Sequence, residues 1–426
     1  MSSPQPKEPA TRYRHRVLGF LSLLSVITYL DRVCISVAGP RMQDALNITP
    51  EQWGWVTGVF TLAYAAFEIP SGGMGDRIGP RRVLTRIVIW WSAFTALTGA
   101  VSNYALLLIT RFAFGVGEAG AYPNIGVAIA RWCPLATRAQ SWGIVLMCSQ
   151  VGGAIAPFVV VPMQARFGWR ASFFLFGLFG AVWAIAWFWW FRDTPAEMPG
   201  VSDDERAEVT AFVPSPHGLP FAIASRSGNL IAVMTMVMLV GWSMSFFQSW
   251  LGTYLVRGRG FTETGLLLAS LPFLVGAAAN VGGGFAGDAL VRRLGLRWGR
   301  RSIGLLGYGS AALFVLAATL TPQNLLAVVF LSLAYGGITL CQPALMSTCL
   351  DIGGKYSGAV TGAMNTGTYT GAFVSSVAYG YIAKAYGYEA PFVPMIAFLA
   401  IGALLWLKVD AEQPVVPESH AGGVPV

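Results

Sequence analysis

Along this chain, apolar stretches of roughly 20 residues recur with short polar interruptions, and each is long enough to cross a ~30 Å hydrocarbon core as an α-helix. Twelve such stretches are predicted, at 17–38, 53–73, 83–101, 104–130, 142–163, 171–191, 230–251, 265–287, 303–320, 325–345, 358–383 and 392–407. The longest polar interruption, residues 192–228, is rich in Pro and charge. Within it Ser202 precedes Asp203, Asp204 and Glu205, the pattern of a capped helix start, so a short surface helix is expected there. The chain therefore reads as six spans in 1–191, a linker at 192–228, and six spans with a tail in 229–426.

Composition agrees with this pattern. The chain of 426 residues is 55% hydrophobic and 11% charged, with a mean hydropathy of +0.58, outside the range of soluble domains. Most of its 28 Lys and Arg fall in interruptions on one side, notably Arg12, Arg14, Arg16, Arg77, Arg81, Arg82, Arg292, Arg293, Arg300 and Arg301. That bias predicts both termini in the cytoplasm. The formal charge of +8 is then a matter of topology, and no soluble basic domain exists to bind nucleic acid. The first span is long and carries Asp31 and Arg32, which is unlike a cleavable signal peptide. The five Cys lie mostly within spans and form no Cys-x-x-Cys pair, so neither a metal nor a disulfide framework is expected. No nucleophile and base pair is visible, which argues against an enzyme, and no cofactor is expected.

Against this apolar background, Asp31 and Arg32 in the first span and Arg111 and Glu118 in the fourth stand out. A charge at the membrane centre costs about 2.5–3.5 kcal/mol on insertion scales, so such residues need a function or a partner. Arg111 and Glu118, seven positions apart, share a helix face and are able to line one cavity; a structural ion pair between helices is the alternative. Asp31 and Arg32 lie about 100° apart around their helix, so one is free to face a cavity while the other reaches a neighbouring helix; mutual neutralisation is the alternative. Arg keeps its proton and presents a fork matched to carboxylate oxygens, which makes Arg32 the expected site for an anionic group. Carboxyls, unlike Arg, are brought by desolvation to exchange protons in the physiological range, which makes Asp31 and Glu118 the expected proton carriers. The three His, His15, His217 and His420, all fall outside the spans. Glu68, one turn from Tyr64 on the second span, is expected to contact substrate, to partner Arg111 or to gate the cytoplasmic side.

The two groups of spans carry a shared signature. Gly72-x-x-x-Asp76-Arg77-x-Gly79-Pro80-Arg81-Arg82 follows the second span, and Gly284-x-x-x-Asp288 with Arg292 and Arg293 follows the eighth, about half a chain later. Such internal duplication is common in transporters. The loop, its second copy and the six-plus-six layout resemble the major facilitator superfamily. Tyr29 to Ser36 (YLDRVCIS), Arg111 to Asn124 (RFAFGVGEAGAYPN), Gly168 to Phe174 (GWRASFF), Arg192 to Pro195 (RDTP) and the Asn365-x-x-Gly pattern resemble its anion:cation symporter branch.

The resemblance implies an all-α membrane fold with twelve helices in two pseudo-symmetric six-helix bundles. It also implies a monomeric symporter in a bacterial inner membrane, surrounded by lipid, that carries a small organic anion with protons by alternating access. It assigns proton coupling to Asp31 and Glu118 and anion binding to Arg32, and it places Tyr29, Tyr64, Gln150, Tyr254 and Asn365 in the binding cavity. Gly72, Asp76, Arg77, Arg82 and Asp288 are expected to form latches at the cytoplasmic surface, with Arg111 and Glu68 structural or gating. Met346 and Gly252 depart from the Trp and Pro that relatives often carry, so the distal end of the substrate is expected to differ from familiar sugar acids. A proton-antiport exporter is the alternative, disfavoured because 153–162 reads GAIAPFVVVP rather than the Gly- and Pro-spaced run of exporters. A nutrient sensor is disfavoured because the linker and the tail after Lys408 are too short to fold as a domain.

Overall fold

A computed structural model describes residues 12–208 and 226–416. Every predicted span falls on a helix. These are α1 (Tyr13–Ala45), α2 (Pro50–Ile78), α3 (Pro80–Ala100), α4 (Tyr104–Trp132), α5 (Leu135–Phe167), α6 (Trp169–Trp190), α7 (Gly228–Gly258), α8 (263–294), α9 (296–320), α10 (Asn324–Gly353), α11 (Ser357–Tyr386) and α12 (Phe392–Leu405). Large apolar side chains such as Ile109, Leu178, Leu313 and Leu404 project outward, as expected of an integral, multi-pass membrane protein whose exterior faces lipid.

Local chemistry sets the ends and breaks. Thr49 and Gln52 cap the start of α2 reciprocally, with Pro50 in its first turn. The sequence pattern predicts one continuous fourth span and a loop at 288–302; the structure differs at both. α4 breaks at Gly120, which sits in the left-handed region at φ 85°, and restarts at Ala121. α8 and α9 run on as helix either side of Gly295, which turns the chain at φ 79° and ψ 169°.

The first six helices and the last six repeat one packing pattern. α1 packs on α5 as α7 does on α11, and α3 on α6 as α9 does on α12; across the two sets α1 meets α7, α2 meets α11, and α5 meets α8. This is the spatial form of the duplication read from the sequence. The predicted surface helix is present as Asp203–Ala207, capped by Ser202. Its Glu205 carboxylate accepts from the backbone N–H groups of Tyr13 (3.2 Å) and Arg14 (2.9 Å), which the first turn of α1 leaves without intrahelical partners.

Two faces differ. On the face of the α1–α2 loop, ion pairs join the two sets of helices: Arg41 with Glu263, Asp44 with Arg257 and Glu51 with Lys384. Gly252 lets α7 approach α1 closely there, since a Cβ would strike the Ser36 backbone, and its N–H donates to the Ser36 hydroxyl at 3.2 Å. On the opposite face, which carries the termini, no ion pair joins the two sets among the described residues.

Candidate functional site

Halfway along α1, Arg32 turns toward α4 and its Nε donates to Glu118 at 2.6 Å. Arg32 is 4% exposed and Glu118 1%. Such a pair is stable only because each charge offsets the other's desolvation. Glu118 closes the first segment of α4 just before the Gly120 break. Gly117 leaves room for the Trp90 indole against the helix there, and Trp90 donates to the Ala113 carbonyl at 2.9 Å.

The guanidinium of Arg32 sits among aromatic rings. Tyr64 is 4.8 Å from it, Phe60 5.6 Å, Tyr29 5.7 Å and Tyr369 5.8 Å. Nη1 donates to the Tyr369 hydroxyl at 3.0 Å, while Nη2 makes no hydrogen bond to the protein. Tyr369 stacks against Tyr64 with ring centres 4.3 Å apart. One turn away on α11, the Asn365 amide donates to Glu68 on α2 at 3.2 Å, and the other Glu68 oxygen has no partner. The two sets of helices therefore meet at this charge cluster.

Asp31, 3% exposed, has no ion-pair partner among the described residues, and the Thr95 hydroxyl is the polar group beside it. Arg111 packs its guanidinium on Phe60 (4.9 Å) and Phe114 (4.4 Å) within electrostatic reach of Glu118 and Asp31, but it hydrogen-bonds to neither. Asp31 does not neutralise Arg32, whereas Glu118 does take part in an ion pair between helices, the alternative read from its position. The pairing found instead, Arg32 with Glu118, joins α1 to α4. Its charges are occluded, while Tyr29, Tyr122, Asn365 and Tyr369 are partly buried.

Other expected residues lie at differing distances from this cluster. Gln150 stands one layer away, accepting from Tyr335 at 3.1 Å and so joining α5 to α10. Tyr254 is not brought in: α7 widens into a π-helical turn at Tyr254–Gly258, which sets Arg259 over Tyr254, and the hydroxyl accepts from Arg259 Nε at 2.7 Å. Arg77, Arg82 and Asp288 are exposed at the surface, and the surroundings of Gly72 and Asp76 lie outside what is described. In that loop the structure adds a group sequence reasoning missed. Asp193, from the RDTP stretch, fills the space a Cβ on Gly79 would need and accepts from the Arg81 N–H at 2.8 Å, capping α3 from outside. Tyr369 was missed too; its spacing of four from Asn365 was the available signal.

The Major Facilitator Superfamily model matches residues 21–376. The chain belongs to that superfamily. A probable sulfoacetate transporter of Cupriavidus necator is 34% identical over 419 residues, spanning 96% of this chain and 97% of that one. The hexuronate transporter of Bacillus subtilis is 26% identical over 371 residues, spanning 86% of this chain and 87% of that one. Among solved structures, a bacterial homologue of the human lysosomal transporter Spinster, inward-facing and occupied, superposes with a TM-score of 0.76 at 20% identity, covering 93% of this chain and 97% of that one. The major facilitator fold and an organic-anion transporter follow; an enzyme does not.

Proposed function

We propose that this protein takes up a small organic anion together with protons, by alternating access across a bacterial inner membrane, with both termini cytoplasmic. The observation that carries the reading is Arg32: a buried guanidinium with one edge on Glu118 and its Nη2 unused, where the two sets of helices meet. The likeness to sulfoacetate and hexuronate transporters supports a sulfonate or carboxylate headgroup as the ligand of that fork.

A proton on Glu118 removes the negative charge that balances Arg32, and the guanidinium, with its charge uncompensated, takes the anion. Proton and anion therefore bind with positive coupling. Asp31, buried with no ion-pair partner among the described residues, is poorly supported as a bare charge and serves as the second proton carrier. Arg111 lies between the two carboxyls and compensates whichever is ionised. Gln150 and Asn365 supply polar contacts to the remainder of the substrate. The ion pairs on the α1–α2 face hold that face shut, and on the proposed orientation this is the state closed to the outside.

The test is uptake of labelled sulfoacetate and hexuronate into proteoliposomes with an acid exterior. Accumulation above equilibrium that collapses with a protonophore supports symport. Proton-driven dye efflux with no anion uptake would establish the exporter reading instead.

A further inference from the structure

The proposal concerns Tyr369 and rests on the anion-transport reading above. A carboxylate or sulfonate binds a guanidinium best through two parallel N–H···O bonds, which it makes along the Nε/Nη2 edge or along the Nη1/Nη2 edge. In this structure each edge is half taken. Glu118 holds Nε at 2.6 Å, Tyr369 holds Nη1 at 3.0 Å, and Nη2, shared by both edges, has no partner.

An arriving anion therefore gains its second bond by evicting either Glu118 or Tyr369. The two evictions differ in kind. Displacing Glu118 strands a buried carboxylate unless it is protonated, whereas displacing Tyr369 frees a neutral hydroxyl on a partly buried ring. The ring itself stays held, since it stacks on Tyr64. Tyr369 belongs to α11, and Glu118 and Arg32 belong to α4 and α1, so only the Tyr369 bond crosses between the two sets of helices.

We propose that the Tyr369 hydroxyl is a built-in stand-in for a substrate oxygen on the Nη1/Nη2 edge of Arg32. The anion displaces it, and loss of this link is how occupancy is reported to α11. Tyr369 is a positioning residue in this scheme, competing with the anion rather than binding it. Asn365, one turn away and bonded to Glu68, is a separate cross-link that the anion headgroup does not break.

Tyr369→Phe keeps the ring and removes the competitor. Titration of purified protein with sulfoacetate and hexuronate is expected to give binding about tenfold tighter than the parent, the equivalent of one hydrogen bond to a charged group. Spin labels at positions 167 and 386, on α5 and α11 at the α1–α2 face, supply a readout without ligand. Ligand-free Tyr369→Phe should show the label distances of the anion-bound parent. If Tyr369→Phe is poorly folded, Tyr369→Leu is measured in its place.

Equal or weaker binding by the variant, or label distances matching the ligand-free parent, overturns the role of Tyr369 and leaves the transport reading intact. A parent that binds neither anion removes the transport reading, and this inference with it.

Discussion

Replacing Glu118 with Gln is the most informative single substitution. It preserves shape and an acceptor oxygen but removes the charge that faces Arg32 at 2.6 Å, where both side chains are nearly inaccessible to water. Breaking a buried pair from one side costs about 3–5 kcal/mol. Because the amide oxygen still accepts the Nε proton, the loss should fall near about 3 kcal/mol. The anion supplies the missing charge, so a large part of that loss should return as affinity, an increase of ten- to a hundredfold in binding. Thermal unfolding should therefore show a less stable ligand-free protein with a larger stabilisation by anion than in the parent. In proteoliposomes, exchange of labelled anion should persist while accumulation driven by a proton gradient is lost. A Glu118→Gln protein that accumulates anion like the parent would refute the assignment of coupling to this carboxyl.

Arg32→Lys keeps the charge and loses the fork, so anion binding should weaken at least tenfold in a direct titration. Arg41→Ala combined with Arg257→Ala removes two half-exposed ion pairs worth about 0–1 kcal/mol each, and should shift label distances between positions 167 and 386 toward separation by up to about thirtyfold in population. Gly252→Ala forces α7 away from the Ser36 backbone and should lower stability by about 1–3 kcal/mol, read as earlier thermal unfolding. Burial raises the Asp193 carboxyl above its ordinary value even though it accepts from the Arg81 N–H. The fold thus favours its protonated form, and the stability tied to this group falls as pH rises from the ordinary value through the raised one. Asp193→Asn should flatten that slope, whereas Asp193→Ala should lose about 1 kcal/mol of cap at every pH.

The sequence announced its spans because hydrocarbon thickness imposes one length on every crossing helix, and its charges because so few occur within them. Asp31, Arg32, Arg111 and Glu118 were legible for that reason alone. Their pairing was not. Spacing places Arg111 with Glu118 on one face and Asp31 next to Arg32 in the chain, but the bond that forms joins α1 to α4, a matter of helix rotation and depth that a single sequence does not encode locally. Tyr254 was misplaced for a related reason: a π-helical turn sets the residue five positions on above it, so Arg259 holds its hydroxyl. Tyr369 went unread although its spacing of four from Asn365 sets both on one face of α11, because that spacing does not say which residue of α1 the hydroxyl meets. The breaks at Gly120 and Gly295 lay inside runs rich in Gly, where composition alone does not say which glycine adopts a positive φ.

Proton movement measured alongside anion uptake tests the coupled-symport claim most directly. Proteoliposomes with a pH dye outside and no imposed gradient should show the exterior turning alkaline when sulfoacetate or hexuronate is added, with the rate falling to background in Glu118→Gln. Anion entry without any pH change, or acidification in its place, would contradict the account.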